Sequence, residues 1–216
     1  MKKIFVLAIM AMFVTASQAQ IVSSRSSRVT TTKTIGNYEG WNTVYLQWNP
    51  STFSPKKGDS ESYTGFSVGY NHAFSVSQSI PLFVEAGLGV QYSFTSKFYD
   101  WDVKINLLSA KVPVSLLYKW MIPNSTIALI PKAGVDFRFN ILGTVKPDGA
   151  SESYNLFDKD EVGPYECKRF QIGWHAGFDV QFNDKFLVGF TYGTDFMDMM
   201  EDCKLHTMSV TLGYCF

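Results

Sequence analysis

The chain closes with the stretch Leu205-His-Thr-Met-Ser-Val-Thr-Leu-Gly-Tyr-Cys-Phe216. Its even-numbered residues from Met208 to Phe216 are apolar or aromatic, whereas its odd-numbered residues from Thr207 to Cys215 are small or polar. Such alternation predicts a β-strand, because successive side chains of a strand point to opposite faces. A strand with one apolar face, one small polar face and a terminal aromatic residue is typical of the last strand of a membrane-spanning β-barrel.

The same alternation recurs upstream of this stretch. Seven further candidate strands lie at about 41–49, 63–76, 82–95, 106–120, 126–141, 169–182 and 185–195. Their connections alternate between short (77–81, 121–125 and 183–184) and long (50–62, 97–105, 142–168 and 196–204). The pattern predicts an all-β chain: one eight-stranded, antiparallel, up-and-down transmembrane β-barrel over residues 41–216, with both termini on the short-turn side.

Three observations favour a membrane barrel over a soluble sandwich or a soluble ligand-binding barrel. The strands are longer than the roughly 5–6 residues usual in soluble sheets and reach the roughly 9–11 that span a bilayer. One face is mostly Gly, Ser, Thr, Asn and Gln, which suits a narrow interior. Aromatic residues also end the apolar face at both rims, as interfacial girdles do: Tyr92, Phe94, Phe139, Phe170 and Tyr192 at one rim, and Tyr118, Trp120, Phe182, Phe186, Tyr214 and Phe216 at the other.

The first forty residues differ from the rest. Lys2 and Lys3, an apolar stretch at 4–14 and the small-x-small site at 17–19 predict a cleaved signal peptide over residues 1–19. Residues 20–40 are rich in Ser and Thr without apolar periodicity, which predicts a mobile periplasmic segment. Without the leader's two lysines the formal net charge is −2, so nothing in the charge balance attracts nucleic acid.

Three segments carry a family resemblance: the leader ending in Ala19-Gln20, the stretch Lys111-Val-Pro-Val-Ser-Leu-Leu-Tyr-Lys-Trp120, and the terminal Gly213-Tyr-Cys-Phe216. Residues 41–216 resemble the small outer-membrane β-barrel proteins of Bacteroidota, the porin-family or PorT-like group, which is related in shape to the OmpA transmembrane domain and OmpX. The resemblance implies an integral protein of the cell outer membrane and no shared catalytic residues or cofactor. In this class of barrel, Tyr214 and Phe216 are expected to serve as the C-terminal assembly signal.

The inward-facing positions carry a balanced set of charges. An eight-stranded barrel is just wide enough for side chains, and a buried charge is costly unless it is paired. Four basic and four acidic residues therefore predict an internal salt-bridge network that fills and locks the barrel. An ion-conducting path is the less favoured alternative, because aqueous channels belong to wider barrels. The predicted network comprises Glu85, Lys111, Lys119, Lys132, Asp136, Arg138, Asp179 and Asp195.

Two prolines, Pro113 and Pro131, fall inside the fourth and fifth candidate strands. Proline removes a donor from the hydrogen-bond ladder, so we predict a β-bulge near each.

Histidine raises the alternative of a rim-active lipid hydrolase or acyltransferase. His175 is predicted to face the lumen with Asp179 four residues later, and His206 opens the last strand. The Gly-x-Ser-x-Gly motif that positions a nucleophilic serine in hydrolases is not present in the sequence. We therefore favour a hydrogen-bonded structural role for His175 and for His206.

Cys167 and Cys203 fall in loops on the same side of the predicted barrel, whereas Cys215 lies in the last strand. In an oxidising compartment the two loop thiols either form a disulfide or stay free, and the sequence leaves both alternatives open.

The third and fourth long loops are acidic. Carboxylates are the ligands that Ca²⁺ prefers, but the spacing of an EF-hand is absent, so we favour a solvated acidic surface and expect no metal and no cofactor. The acids are Asp158, Asp160, Glu161, Glu166, Asp198, Glu201 and Asp202.

These observations predict a non-enzymatic outer-membrane barrel, either structural or acting through its long loops in binding or envelope integrity. The alternatives are a narrow channel, an accessory subunit of a transport or secretion assembly, and the histidine-dependent enzyme. The expected partners are outer-membrane lipid, lipopolysaccharide and, during biogenesis, the barrel-assembly machinery. We expect a monomer that binds no nucleic acid.

Overall fold

The computed structural model describes residues 38–56, 60–96, 102–163, 166–200 and 202–216. The predicted signal peptide and most of the predicted N-terminal segment lie outside these ranges. In the described part of the chain, no helix is long and apolar enough to cross a membrane. The strands are β1 Trp41–Trp48, β2 Ser51–Pro55, β3 Glu61–Ser77, β4 Ile80–Thr95, β5 Val103–Tyr118, β6 Trp120–Met121, β7 Ile127–Pro147, β8 Tyr154–Asn155, β9 Phe170–Phe182, β10 Phe186–Asp195 and β11 Cys203–Cys215, and a short helix, α1, spans Lys159–Val162.

The long strands close into a ring in which every neighbouring pair is antiparallel. Its order is β1-β11-β10-β9-β7-β5-β4-β3, and β3 pairs back to β1. β2 continues β1 past Asn49 and Pro50 and pairs with both β3 and β11, while β6 continues β5. Counted over the described residues, the ring has eight strand positions, which confirms the predicted eight-stranded up-and-down barrel.

The closing strand shows the two faces of the barrel wall. Ser209, Thr211 and Cys215 are buried inside, whereas Met208 and Leu212 are exposed outside. The same division holds around the ring, so the outer surface is a band of apolar side chains far larger than a soluble protein leaves exposed. Lipid is the solvent that such a band requires.

The two ends of the barrel differ. At the turn end, Asn183 and Asp184 both have positive φ (53° and 56°), as in the two-residue hairpin turns whose twist matches that of the strands. The first and last strands also meet there, where the backbone N–H and C=O groups of Asn42 and Phe216 bond each other at 3.0 Å. The opposite end, here the long-loop end, carries the four longer connections.

Neither proline produces a bulge, so that prediction was wrong. The β4–β5 pairing runs to Ala86↔Val114 and resumes at Gly89↔Lys111 in the same register. The pairing of β7 with β5 and β6 passes Pro131 in the same way. Each missing N–H therefore interrupts one ladder locally without shifting the strands.

The one bulge of the β5–β7 pair lies nearer the long-loop end, between Leu108 and Ser109. There the neighbouring residues Ile141 and Leu142 of β7 are both exposed. The alternation of faces changes phase at this point, and β7 continues to Pro147 rather than ending near residue 141. The longest predicted loop, 143–168, is therefore shorter and partly folded: β8 pairs with the extended β7, and Asp158 caps α1 by accepting from the N–H of Asp160 at 3.0 Å.

Candidate functional site

The middle of the lumen holds the main concentration of charged and hydrogen-bonding side chains in the described part of the molecule. β7 carries Lys132, Asp136 and Arg138 at alternating inward positions, and its neighbours supply the partners. Lys132 Nζ lies 2.8 Å from Asp179 Oδ2, and Arg138 Nη2 lies 2.5 Å from Asp195 Oδ2. In both pairs the side chains are at most 10% exposed, so each charge has its counter-ion in place of water.

Glycines on the neighbouring strands make room for these charged side chains. A Cβ on Gly189 would lie 2.1 Å from Asp179 Oδ1, and a Cβ on Gly173 would lie 2.9 Å from Asp195 Oδ1. The ion pairs therefore occupy space that any larger residue would fill. This is the physical reason for glycine at these two positions.

Two members of the predicted network take other positions. Lys119 lies at the turn end, where its Nζ is 2.8 Å from Asp184 Oδ1 and 4.9 Å from the centre of the Trp41 ring. It therefore belongs to the rim and not to the lumen network. Glu85 is buried in the lumen at 4% exposure, but among the described residues it makes no ion pair within 4 Å.

A hydrogen-bonded chain joins three strands at mid-lumen. Ser115 Oγ lies 2.7 Å from His175 Nε2, and His175 Nδ1 lies 2.8 Å from Asp136 Oδ2. Lys111 Nζ is 3.5 Å from the other oxygen of Asp136. The register explains the meeting, because Gly134 separates Ser115 on one side from His175 on the other.

The order serine, histidine, aspartate matches that of a hydrolase triad, but the surroundings do not. His175 is buried in the lumen, at 8% exposure, rather than at the rim. The two cavities that it lines have volumes of about 30 and about 40 Å³. Such volumes hold about two or three water molecules, not an acyl chain.

Apolar side chains close the lumen at both ends. The turn cluster consists of Ala73, Phe83, Leu117, Ala128 and Ile130, with Tyr38 and Trp41 packed against it. The long-loop cluster consists of Phe53, Tyr63, Leu107, Leu156, Cys167, Met199, Cys203 and Leu205. Sequence reasoning missed both clusters. Large apolar residues at inward positions near strand ends, such as Phe83 and Leu205, could have indicated these clusters from the sequence.

The loops at the long-loop end form an ordered cap over their cluster. Cys167 donates its N–H to the carbonyl of Leu156 at 2.8 Å, and Lys168 donates to that of Met199 at 2.8 Å. The Arg169 guanidinium lies 4.3 Å from the centre of the Phe157 ring and donates to the carbonyl of Ile141 at 3.0 Å. These bonds join the third and fourth long loops to the barrel wall.

Three of the acids of these loops have local partners. Asp158 caps α1, Glu161 accepts the N–H of Asn155, and Asp202 pairs with Lys56. Over the described residues, no group of three or more His, Cys, Asp or Glu side chains could hold a metal ion. Glu201 lies outside these residues.

His206 and the terminal aromatic residues lie on the outer face. His206 Nδ1 is 3.1 Å from the Tyr192 hydroxyl at the long-loop end. Tyr214 and Phe216 stack at 6.4 Å at the turn end, where both rings are exposed. Their role as an assembly signal stays a prediction.

Cys167 and Cys203 both pack inside the long-loop cluster, and Cys215 is a third buried cysteine in β11. The clustering of Cys167 with Cys203 leaves the disulfide between them a prediction. Burial raises the pKa of Cys167 from 9.0 to about 12, because the thiolate is poorly solvated there and the nearby Cys203 adds to the effect.

We therefore expect Cys167 of the reduced, folded protein to resist alkylation near neutral pH. The thiolate is the nucleophile, so reaction with iodoacetamide should begin only as the pH approaches the raised pKa. The same thiol in urea should react as an ordinary cysteine. Mass spectrometry of the labelled site from pH 7 to 11, with Cys203 and Cys215 replaced by Ser, checks this. Equal rates at pH 8 in the folded and unfolded chains would contradict it.

Comparisons with known proteins agree with this geometry. Residues 5–216 match the family described as outer membrane protein beta-barrel domain. No curated protein matches the chain significantly. Among solved structures, the chain is similar to Ail, the attachment invasion locus protein of Yersinia pestis, with 16% identity and a TM-score of 0.47 over 83% of this chain and 100% of that chain.

The chain is also similar to two other solved structures. Neisserial surface protein A is 13% identical, with a TM-score of 0.46 over 80% of this chain and 96% of its own. The outer membrane enzyme PagL is 12% identical, with a TM-score of 0.45 over 77% of this chain and 97% of its own. The chain belongs to the outer membrane protein beta-barrel domain family and is an integral outer-membrane β-barrel.

Proposed function

We propose that this protein is a non-enzymatic outer-membrane barrel that acts through its long-loop end, in binding or in the integrity of the envelope. The observation that carries the proposal is the closure of the lumen by the turn cluster and the long-loop cluster. A closed and filled barrel offers no interior path, so its folded cap is the surface on which a partner could act.

The proposal includes the route and orientation of the protein. The leader over residues 1–19 is removed after export, residues 20–40 lie in the periplasm, and the long-loop end faces outward. Short turns on the periplasmic side are the rule for such barrels. Tyr38 supports this placement of the segment, because its ring packs edge-on against Phe83 at the turn end, 6.4 Å away. A Bacteroidota origin, a monomeric state and assembly through Tyr214 and Phe216 belong to the same proposal.

Photo-crosslinking in intact cells tests where the protein makes its contacts. Tyr154 is an exposed residue of the cap, and Lys185 is an exposed residue of the turn end that serves as a matched control position. A photoreactive residue at 154 should give a specific adduct whose partner mass spectrometry identifies. Specific adducts from position 185 with none from position 154 would contradict a role for the loops.

The accessory-subunit alternative makes a different prediction in the same experiment. A component of a transport or secretion assembly would give one abundant protein adduct from the same assembly at both positions. A channel function has less support, because ions would have to pass two apolar clusters that water does not hydrate.

Alanine at His175 and at His206 tests the enzyme alternative. We expect unchanged membrane-lipid composition in both variants, because the cavities beside His175 cannot hold an acyl chain. His175→Ala should nevertheless destabilise the barrel by about 1–3 kcal/mol, since Ser115 and Asp136 lose a buried partner. Lipid analysis and urea unfolding provide the two measurements. A change in acyl-chain composition with His175→Ala would support the enzyme instead.

A further inference from the structure

Along the described strands, the outer face of the barrel carries charged side chains only near the long-loop end. In the described strands, Asp, Glu, Lys and Arg at outward positions amount to Lys104, Lys146 and Lys204. All three are basic and all three lie at the long-loop end. The acids of the strands face the interior. Charged side chains are unfavourable on a surface that faces lipid. The presence of three lysines at one end of the outer face therefore needs a physical explanation.

Two of these lysines face each other directly. Lys104 of β5 pairs with Lys146 of β7, and directly opposite residues of an antiparallel pair lie on the same face. Their inward neighbours Ile105 and Val145 pack on the long-loop cluster, which confirms that the lysines point outward. Like charges at directly opposite positions destabilise a sheet. A bound anion between the two ammonium groups would reverse that effect.

The described residues supply no such anion. Neither lysine makes an ion pair with a described acid, and Lys146 Nζ has the carbonyl of Ser151 at 3.4 Å as its recorded partner. Asp102 and Asp148 are the nearest acids along the chain, each two residues from one of the lysines and just beyond the end of its strand. Asp148 donates its backbone N–H to the carbonyl of Asp102 at 2.8 Å, and neither carboxylate forms an ion pair with the lysines.

The height of the pair matches the level of lipid headgroups. Asn106 lies two residues from Lys104 in the direction of the turn end. It pairs with Phe94 and accepts a 2.7 Å hydrogen bond from the Tyr92 hydroxyl. Both aromatic residues belong to the interfacial girdle, so the lysines lie about 7 Å along the strand beyond it. This is the position at which the phosphates of an outer-leaflet lipid would lie.

We propose that Lys104 and Lys146 form a binding site for a phosphate group of an outer-leaflet glycolipid. Two ammonium groups on adjacent strands can donate to different oxygens of one phosphate. The site rests on the proposed function, because it requires the long-loop end to face outward. It makes the β5–β7 wall a fixed contact between the barrel and the phosphorylated lipid of the outer leaflet.

Binding to vesicles of defined composition tests the site. The full-length protein is reconstituted in phosphatidylcholine containing diphosphorylated lipid A or dephosphorylated lipid A, and the lipid retained after mild detergent extraction is counted by native mass spectrometry. The wild-type protein should retain the phosphorylated form. Lys104→Gln with Lys146→Gln should weaken its retention about tenfold. Lys185→Gln, which removes one positive charge at the turn end, should have no effect.

Several outcomes bear on the inference. Lys104→Arg with Lys146→Arg keeps both charges and should retain the lipid. Inorganic phosphate at millimolar concentration should not displace it, because a free anion lacks the acyl chains that hold the headgroup at this height. Equal retention of dephosphorylated lipid A, displacement by inorganic phosphate, or undiminished retention by the double Gln variant would each overturn the proposal. Failure of the wild-type chain to enter the vesicles would instead contradict the proposed function.

Discussion

Replacing Lys132 by Met should destabilise the barrel by about 3–5 kcal/mol, the cost of leaving a buried charge without its partner. Lys132 bonds Asp179 at 2.8 Å, and both side chains are at most 9% exposed. Methionine keeps most of the volume of the lysine stem but removes the ammonium group. The Asp179 carboxylate would then remain in the lumen with no counter-ion at hydrogen-bonding distance. Urea unfolding of the protein in lipid vesicles measures the change.

Two matched variants make this result specific. Lys119→Met is the same substitution in an ion pair of equal length, but the partner, Asp184, is 70% exposed and can be hydrated. It should cost less than about 1 kcal/mol. Adding Asp179→Asn to Lys132→Met removes the unpaired charge and should recover much of the loss. Equal costs for Lys132→Met and Lys119→Met would show that the lumen pair has no special role.

Replacing Phe83 by Ala should cost about 3–5 kcal/mol, because it empties the centre of the turn cluster. Phe83 is 1% exposed and meets the Trp41 ring edge-on at 4.6 Å. The cavity would lie between barrel wall, Tyr38 and Trp41, where lipid cannot enter to fill it. Unfolding in lipid vesicles again gives the free energy.

Leucine at the same position provides the control. Phe83→Leu keeps most of the apolar volume and should cost less than about 1.5 kcal/mol. The loss for Phe83→Ala should therefore clearly exceed that for Phe83→Leu. Similar small losses for both would mean that Phe83 contacts lipid or water rather than a packed cluster.

The alternation of apolar and polar residues predicted the barrel because it assigns each residue of a strand to the inner or the outer face. Once Phe137 and Phe139 are assigned to lipid, Asp136 and Arg138 must point inward, whatever the rest of the chain does. The same rule failed at Ile141 and Leu142. Both residues are exposed because the bulge shifts the alternation of inward and outward residues by one position. In the sequence alone, such a shift looks the same as the end of a strand.

The pairings inside the lumen could not be predicted, because they depend on register between strands. Lys132 lies opposite Gly177 on β9, and its partner Asp179 is two residues further along. That offset is set by the turns and by the stagger of the whole ring. Lys119 lies at the rim for a different reason, because it follows Tyr118, the last residue of β5, and precedes β6 at the turn end.

The order Ser115, His175, Asp136 shows why a site needs its surroundings as well as its residues. The sequence separates the three by dozens of positions, and only the ring brings them within hydrogen-bonding distance. Distances alone would indicate a triad. The burial of His175 and the small adjoining cavities favour a structural hydrogen-bonded chain.

Planar-bilayer recording tests the closed barrel most directly. Both ends of the lumen are filled by apolar clusters, and the lysine and arginine side chains between them are paired with aspartates. The purified wild-type protein, shown to be inserted and folded, should therefore give no conductance steps above the background of the bilayer. Reproducible, long-lived open levels from the wild-type protein would show a continuous aqueous path and would contradict the closed barrel on which the proposed function rests.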